Sequence, residues 1–220
     1  MEKRHLFERL YIDNATAGYE VHTALFCGVT NRTELRNHLL ALNTDYEYAF
    51  VNAERILSRA HLLSAIFTAM TSLVQDTLTT KNVHSEIVVS LNPNKNITEA
   101  YNRFGIPPPP PARKDNEPPK DVPPMDLIVV KVLKLDTSSS PEKDDNPAAN
   151  DTWAHLLANV KGEPTRLTDE ELERTVNLAK LRGYYGLNNV PLLDEIKEDA
   201  TLRKQEMERL IIMKMALRAV

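Results

Sequence analysis

A thiolate, an imidazole base or two carboxylates sharing a proton would be the simplest catalytic equipment for this chain, and the residues able to supply them are scattered. The six histidines show no H-E-x-x-H spacing, the single cysteine, Cys27, has no C-x-x-C partner, and no serine sits in a G-x-S-x-G turn. The six glycines form neither G-x-x-x-x-G-K-[ST] nor G-x-G-x-x-G, so no loop is built to cradle a phosphate. Adjacent carboxylates occur at Glu170-Glu171 and Asp144-Asp145, where a helix start and a solvated loop explain them. His61 stands in an apolar helical pattern without neighbouring ligands and reads as a solvent-facing or satisfied histidine, not a metal site. No cofactor or metal is expected, and the chemistry that remains is that of surfaces. The competing reading is a small-molecule enzyme of unrecognised type.

The elements that must position such surfaces are organised around His84 to Ile106. Glu86 to Leu91, rich in the β-branched Ile87, Val88 and Val89, reads as a buried strand stopped by Asn92-Pro93-Asn94. Asn96 then caps a helix with Glu99 three residues on, and Gly105 ends it. Ile97, Ala100, Tyr101 and Phe104 recur at i, i+3, i+4 and i+7, and Ile106 prolongs the apolar stripe past the cap.

This stretch, S-E-I-V-V-S-L-N-P-N-K-N-I-T-E-A running to F-G-I, resembles the signature of the TPRKB family, the kinase-binding subunit of the KEOPS (EKC) complex. Glu86, Pro93, Asn96, Ile97, Glu99, Ala100, Phe104, Gly105 and Ile106 carry the match. The resemblance is tight over residues 81–106, moderate over 21–74 and 125–135, and weak toward the C-terminus. It implies a noncatalytic subunit that docks through apolar contacts on the complex's atypical kinase-like ATPase and helps recruit the tRNA 3′ end. Through the kinase it would reach the catalytic subunit that installs threonylcarbamoyl on the adenosine beside the anticodon. The resemblance further implies a protein of nucleus and cytoplasm, with a link to telomeric chromatin in fungi.

Length and composition fit one domain with insertions: 220 residues, 42% hydrophobic, a net charge of −4. That charge predicts no global attraction to nucleic acid or anionic membrane, so any RNA contact must be local. One cysteine in an apolar run reads as a small buried hydrophobe in a reducing compartment, and the N-terminus lacks the apolar core of a secretion signal. The four N-x-T triplets are therefore not glycosylation sites, and two of them are better explained as helix caps.

In chain order, Glu20 to Val29 predicts a strand, Asn31 with Glu34 opens a helix, Tyr46 to Val51 predicts a second strand, and Ser58 to Asp76 a long amphipathic helix. Pro107 to Pro124 is a proline-rich insertion expected to be a stiff polyproline spacer, with docking to an SH3-like or WW-like module as the other reading. Met125 to Leu135 returns as a strand beside Glu86 to Leu91, and residues 137–151 read as an acidic flexible loop. Helices follow at Thr152 to Val160, from the Thr168 and Glu171 capping box to Gly183, and from Leu192 to Ala219, the last strongly apolar from Leu210 to Met213. The sum is an α+β fold: a central, mostly antiparallel sheet flanked by α-helices. Tyr101, Phe104 and Ile106, joined by Leu210 and Met213, are the expected kinase-docking surface, because interfaces concentrate energy in such anchors. Lys81 and Asn82, joined by Lys95 and Arg103, are the expected tRNA contacts.

Overall fold

The computed structural model describes residues 3–10, 12, 18–109, 122–135, 147–196 and 198–218. Five strands, β1 (Glu8–Leu10), β2 (Tyr19–Val29), β3 (Ala49–Asn52), β4 (Met125–Lys134) and β5 (Glu163–Thr165), pair antiparallel in the order β1-β2-β4-β3, with β5 also on β2. Nine α-helices are found among the described residues: α1 (Arg32–Leu40), α2 (Arg59–Val74), α3 (Val83–Ser90), α4 (Ile97–Phe104), α5 (Pro147–Asn159), α6 (Asp169–Thr175), α7 (Leu178–Tyr184), α8 (Pro191–Glu195) and α9 (Ala200–Leu217). The architecture is α+β, with the sheet covered on both faces.

That double cover explains why β2 and β4 read as near-continuous apolar runs. Val21, Leu25, Ile128, Val130 and Val132 pack with the buried sides of α2, α3 and α9, whereas Ala24, Phe26, Leu127 and Val129 pack with Leu35 of α1 and Trp153 and Leu156 of α5. The two sets alternate along each strand, as pleating requires. The chain crosses from one core to the other directly after α4: Phe104 belongs to the first, Ile106 to the second. Gly105 lies between them, and a Cβ there would come within 2.9 Å of the Tyr101 carbonyl oxygen.

Several expected elements take a different form. Residues 86–91 are not a strand; residues 86–90 belong to helix α3 with Leu91 as its C-cap, and the partners of β4 are β2 and β3. Asn82 caps α3, its Oδ1 accepting the Ser85 N–H at 2.8 Å. Seven of the eight residues of α3 are buried, polar His84, Glu86 and Ser90 among them, so the helix has almost no solvated face and carries no helical period to read. The helix opened by Thr168 is two helices, because the Asn177 N–H donates to the Glu54 carbonyl at 2.9 Å while the Asn177 side chain caps α7. Gly183 lies inside α7; the turn is made by Gly186, at φ 61°, with the Leu187 N–H donating to the Arg182 carbonyl. The terminal helix is likewise split, with Pro191 opening α8 and Asp199 capping α9. Helix α5 begins at Pro147, earlier than expected, so the last residues of the predicted acidic loop are helical. The rest of that loop and residues 110–121 of the proline-rich insertion lie outside the described residues.

Candidate functional site

Where the two cores meet beside β3, the surface opens into a groove of about 570 Å³. One wall is the end of α1 and its following turn, with Leu39, Leu40, Leu42 and Asn43; the opposite wall is α4, with Ile97, Thr98, Tyr101 and Asn102. Tyr48 and Phe50 from β3 and Ile106 contribute further apolar lining, and the segment Thr79 to Asn82 closes one end above α3. Leu40 and Leu42 are 64% and 65% exposed. Leu42 has φ 55°, in the left-handed region where a helix terminus ordinarily places glycine, and its N–H donates to the Leu39 carbonyl. A bulky apolar residue held in that conformation and turned to solvent is poorly explained by monomer folding alone.

Local hydrogen bonding shapes the groove. In α4, the Asn96 side chain accepts the Glu99 N–H at 3.0 Å, completing the expected cap, and Asn94 donates to the Glu99 carboxylate at 2.6 Å. That bond, with help from Asn92 and Arg103, holds the Glu99 carboxyl below its usual range. Tyr101 is half-buried along the groove, and burial, outweighing the neighbouring Ser85 hydroxyl, pushes its phenol up. His84 lines the groove while its Nε2 accepts the Val132 N–H at 3.0 Å. A backbone N–H can only donate, so His84 is neutral with its proton on Nδ1; burial, with the nearby Lys131 charge, lowers its pKa to about 3. Behind the groove, the Leu57 N–H donates to His61 Nδ1, His61 Nε2–H therefore donates to the Tyr185 hydroxyl, and that hydroxyl donates to the Leu91 carbonyl. His61 is thus the satisfied core histidine, neutral, with burial lowering its pKa to about 3.

The sequence-predicted docking residues do not form one surface. Tyr101 and Ile106 line the groove, but Phe104 is fully buried, about 6 Å from the ring centres of Tyr184 and Tyr185, and Ile106 is only 6% exposed. Phe104 is a core residue rather than a surface anchor, because the stripe it shares with Ala100 is the inward face of α4. A charge placed at Ile106 would therefore test folding before docking. Leu210 and Met213 lie elsewhere, on α9, where Met207, Ile211 and Met215 are the buried line. Leu210, Met213 and Leu217, at i, i+3 and i+7, make a second stripe: Leu210 is half-buried, Met213 47% exposed and Leu217 60% exposed. Helix α2, which packs against α9, leaves Phe67 and Val74 exposed at i and i+7.

The predicted RNA contacts divide as well. Lys81 and Asn82 line the groove, and Lys81 makes no ion pair among the described residues. Lys95 and Arg103 do not line it; Arg103 pairs with Glu99 and lies over the Tyr184 ring. Leu40, Leu42, Tyr48, Phe50, Phe67 and Leu217 are not among the docking or RNA-contact residues expected from the sequence. The adjacent Leu39 and Leu40 held a usable signal, since one short helix cannot bury both sides at its open end. Cys27 is half-buried, with its thiol pushed up by burial, which makes it a poor nucleophile. No group of three or more metal-ligating side chains is found among the described residues, and no helix there is long and apolar enough to cross a membrane.

The profile of the family described as "Kinase binding protein CGI-121" matches residues 26–113 and 120–219. The chain is 38% identical over 217 residues to "EKC/KEOPS complex subunit cgi121" of Neurospora crassa, covering 97% of this chain and 99% of that protein. It is 40% identical over 215 residues to the subunit of the same name in Gibberella zeae, covering 97% and 98%. With the Aspergillus terreus subunit it shares 37% identity over 181 residues, 82% and 81% of the two chains.

Proposed function

Because the chain belongs to the CGI-121 family of kinase-binding proteins, we propose that it is a noncatalytic subunit of the EKC/KEOPS complex that docks on the kinase-like ATPase through α9 and turns its groove toward tRNA. The stripe Leu210, Met213 and Leu217 carries the docking half of this reading: two of its members expose large apolar side chains although the helix already buries a separate line in the core. Exposed apolar surface of this kind gains free energy only against a partner. Phe67 and Val74 on the neighbouring α2 extend the same chemistry.

The RNA half rests on the groove. Single-stranded RNA ends are bound by stacking bases on aromatic faces and by cations along the backbone. Tyr101 is the half-exposed aromatic face of the groove, over a floor of buried Tyr48 and Phe50, and Lys81 stands at its end, which suits the unpaired 3′ end of tRNA better than a duplex. By holding both the kinase and the tRNA, the subunit would deliver tRNA to the threonylcarbamoyl-transferring subunit. Residence in nucleus and cytoplasm, and a part in telomere maintenance, belong to this reading through the family resemblance.

The test uses the full chain and the purified kinase subunit. Met213→Glu combined with Leu217→Glu should weaken kinase binding about 30-fold or more, the scale of a hot-spot loss, with an unchanged unfolding midpoint. Undiminished binding by that folded variant would remove α9 from the interface. Lys81→Glu should lower affinity for a tRNA transcript and reduce the slope of log K against log salt by about 1.

A further inference from the structure

Resting on that reading of the two surfaces, we propose that Glu86 is a positioning residue that links them: it holds the groove-closing segment Thr79 to Lys81 in place and is itself held by Arg218 at the end of α9. Binding at the α9 stripe therefore alters the RNA-facing end of the groove.

Glu86 is almost fully buried in α3, where a carboxylate persists only if its oxygens are matched by donors. One oxygen, Oε2, accepts from the Thr79 N–H at 3.0 Å, the Thr80 N–H at 2.8 Å and the Thr80 hydroxyl at 2.8 Å. The segment it grips has no helix or strand of its own, and Thr79, Thr80 and Lys81 all line the groove. The other oxygen, Oε1, lies 3.7 Å from Arg218 Nη2, and the same guanidinium donates through Nη1 to the Val89 carbonyl of α3. Arg218 directly follows Leu217, the most exposed member of the α9 stripe, yet its own side chain is largely buried. A partner seated on Leu217 thus touches the residue next to the one that reaches through to Glu86.

Thr80 supplies the element with two positions. Its hydroxyl carries one proton but has two acceptors in reach, Glu86 Oε2 at 2.8 Å and the Asn82 carbonyl at 2.9 Å. Drawing the Glu86 carboxylate toward Arg218 turns that O–H to donate to the carbonyl of Asn82, the residue that caps α3 beside Lys81. The change is small and local, which suits coupling through one buried ion pair rather than a domain movement.

The experiment compares the wild-type full chain with Arg218→Gln, Arg218→Lys and, as a surface control, Arg209→Gln, measuring amide hydrogen exchange at Thr79 and Thr80 and affinity for a tRNA transcript. Arg218→Gln should speed exchange at those two amides about tenfold while amides in β2 and α2 keep their protection, and tRNA affinity should fall by a similar factor. Arg218→Lys, which keeps the charge, should restore most of both, and Arg209→Gln should change neither. Unaltered exchange at Thr79 and Thr80 in Arg218→Gln overturns the link, and so does a uniform loss of protection across all amides, which would mark Arg218 as a general stability determinant. The exchange measurement needs no RNA. If Lys81→Glu leaves tRNA binding intact, the groove's RNA role fails while the link is still judged by exchange alone.

Discussion

Ile87 to Val89 in helix α3 and Leu210 to Met213 in helix α9 both read as strongly apolar, yet the two helices use that character in opposite ways. Helix α3 buries seven of its eight residues, with the polar His84, Glu86 and Ser90 among them, and is part of the core on every side. Helix α9 buries three of its eighteen residues and leaves Met213 and Leu217 in solvent. The stretch that most resembles a family signature thus builds mainly structure, and a stretch that resembles it only weakly carries the larger exposed apolar stripe. Apolar composition marks what must leave water; position relative to the sheet decides whether the chain itself or another molecule does the covering.

The sharpest way to break this contrast is to truncate one anchor from the buried side. Phe104→Ala should lower unfolding stability by about 3–5 kcal/mol, the usual cost of removing a buried aromatic ring, read from urea unfolding. A loss below about 1 kcal/mol would mean that α4 can lift from the core and that Phe104 is available as an anchor after all.

Acid should separate the two sides next. His61 and His84 sit in the buried region and are neutral when folded, each with its pKa lowered to about 3 from an ordinary 6.5, burial being the main cause. A lowered histidine pKa means that the unfolded chain takes up protons the folded one refuses. The stabilisation is therefore complete above pH 6.5 and is lost as the pH falls toward 3. Each histidine should cost roughly 2 kcal/mol of stability between pH 7.5 and pH 5. His84→Gln, which can still accept the Val132 N–H, should remove about half of that pH dependence. An unchanged pH dependence would show that His84 is already protonated in the folded chain, contradicting its bond to Val132.

The sequence made legible what repeats with a period or carries a cap. Strands β2 and β4 stand where their near-continuous apolar runs placed them, and helix α2 and the Asn96 cap with Glu99 where helical periodicity and capping did, because all three are local signals. Helix α3 was misread as a strand because burial on all sides erased its period and left β-branched composition as the remaining cue. The break at Asn177 depends on a distant partner, the Glu54 carbonyl, which no local pattern reveals. The candidate site was legible in its parts: Lys81, Asn82, Tyr101 and Ile106 do meet in one groove. The other wall, from α1 and β3, comes from residues 39–50, and its closeness to α4 is a matter of tertiary packing. Phe104 was assigned to the surface because a helical stripe shows that a face is buried without showing against what.

The smallest effect sharpens the contrast most. Met213→Ser together with Leu217→Ser should change unfolding stability by no more than about 0.5 kcal/mol, since neither side chain belongs to either core cluster. The same urea unfolding that reads Phe104→Ala reads this variant, so the two differ only in which region is altered. A loss of 2 kcal/mol or more would mean that the monomer itself uses the stripe, and α9 would then resemble α3. A near-zero change means that the monomer makes no use of the stripe in folding, which leaves Met213 and Leu217 free for contacts outside the chain.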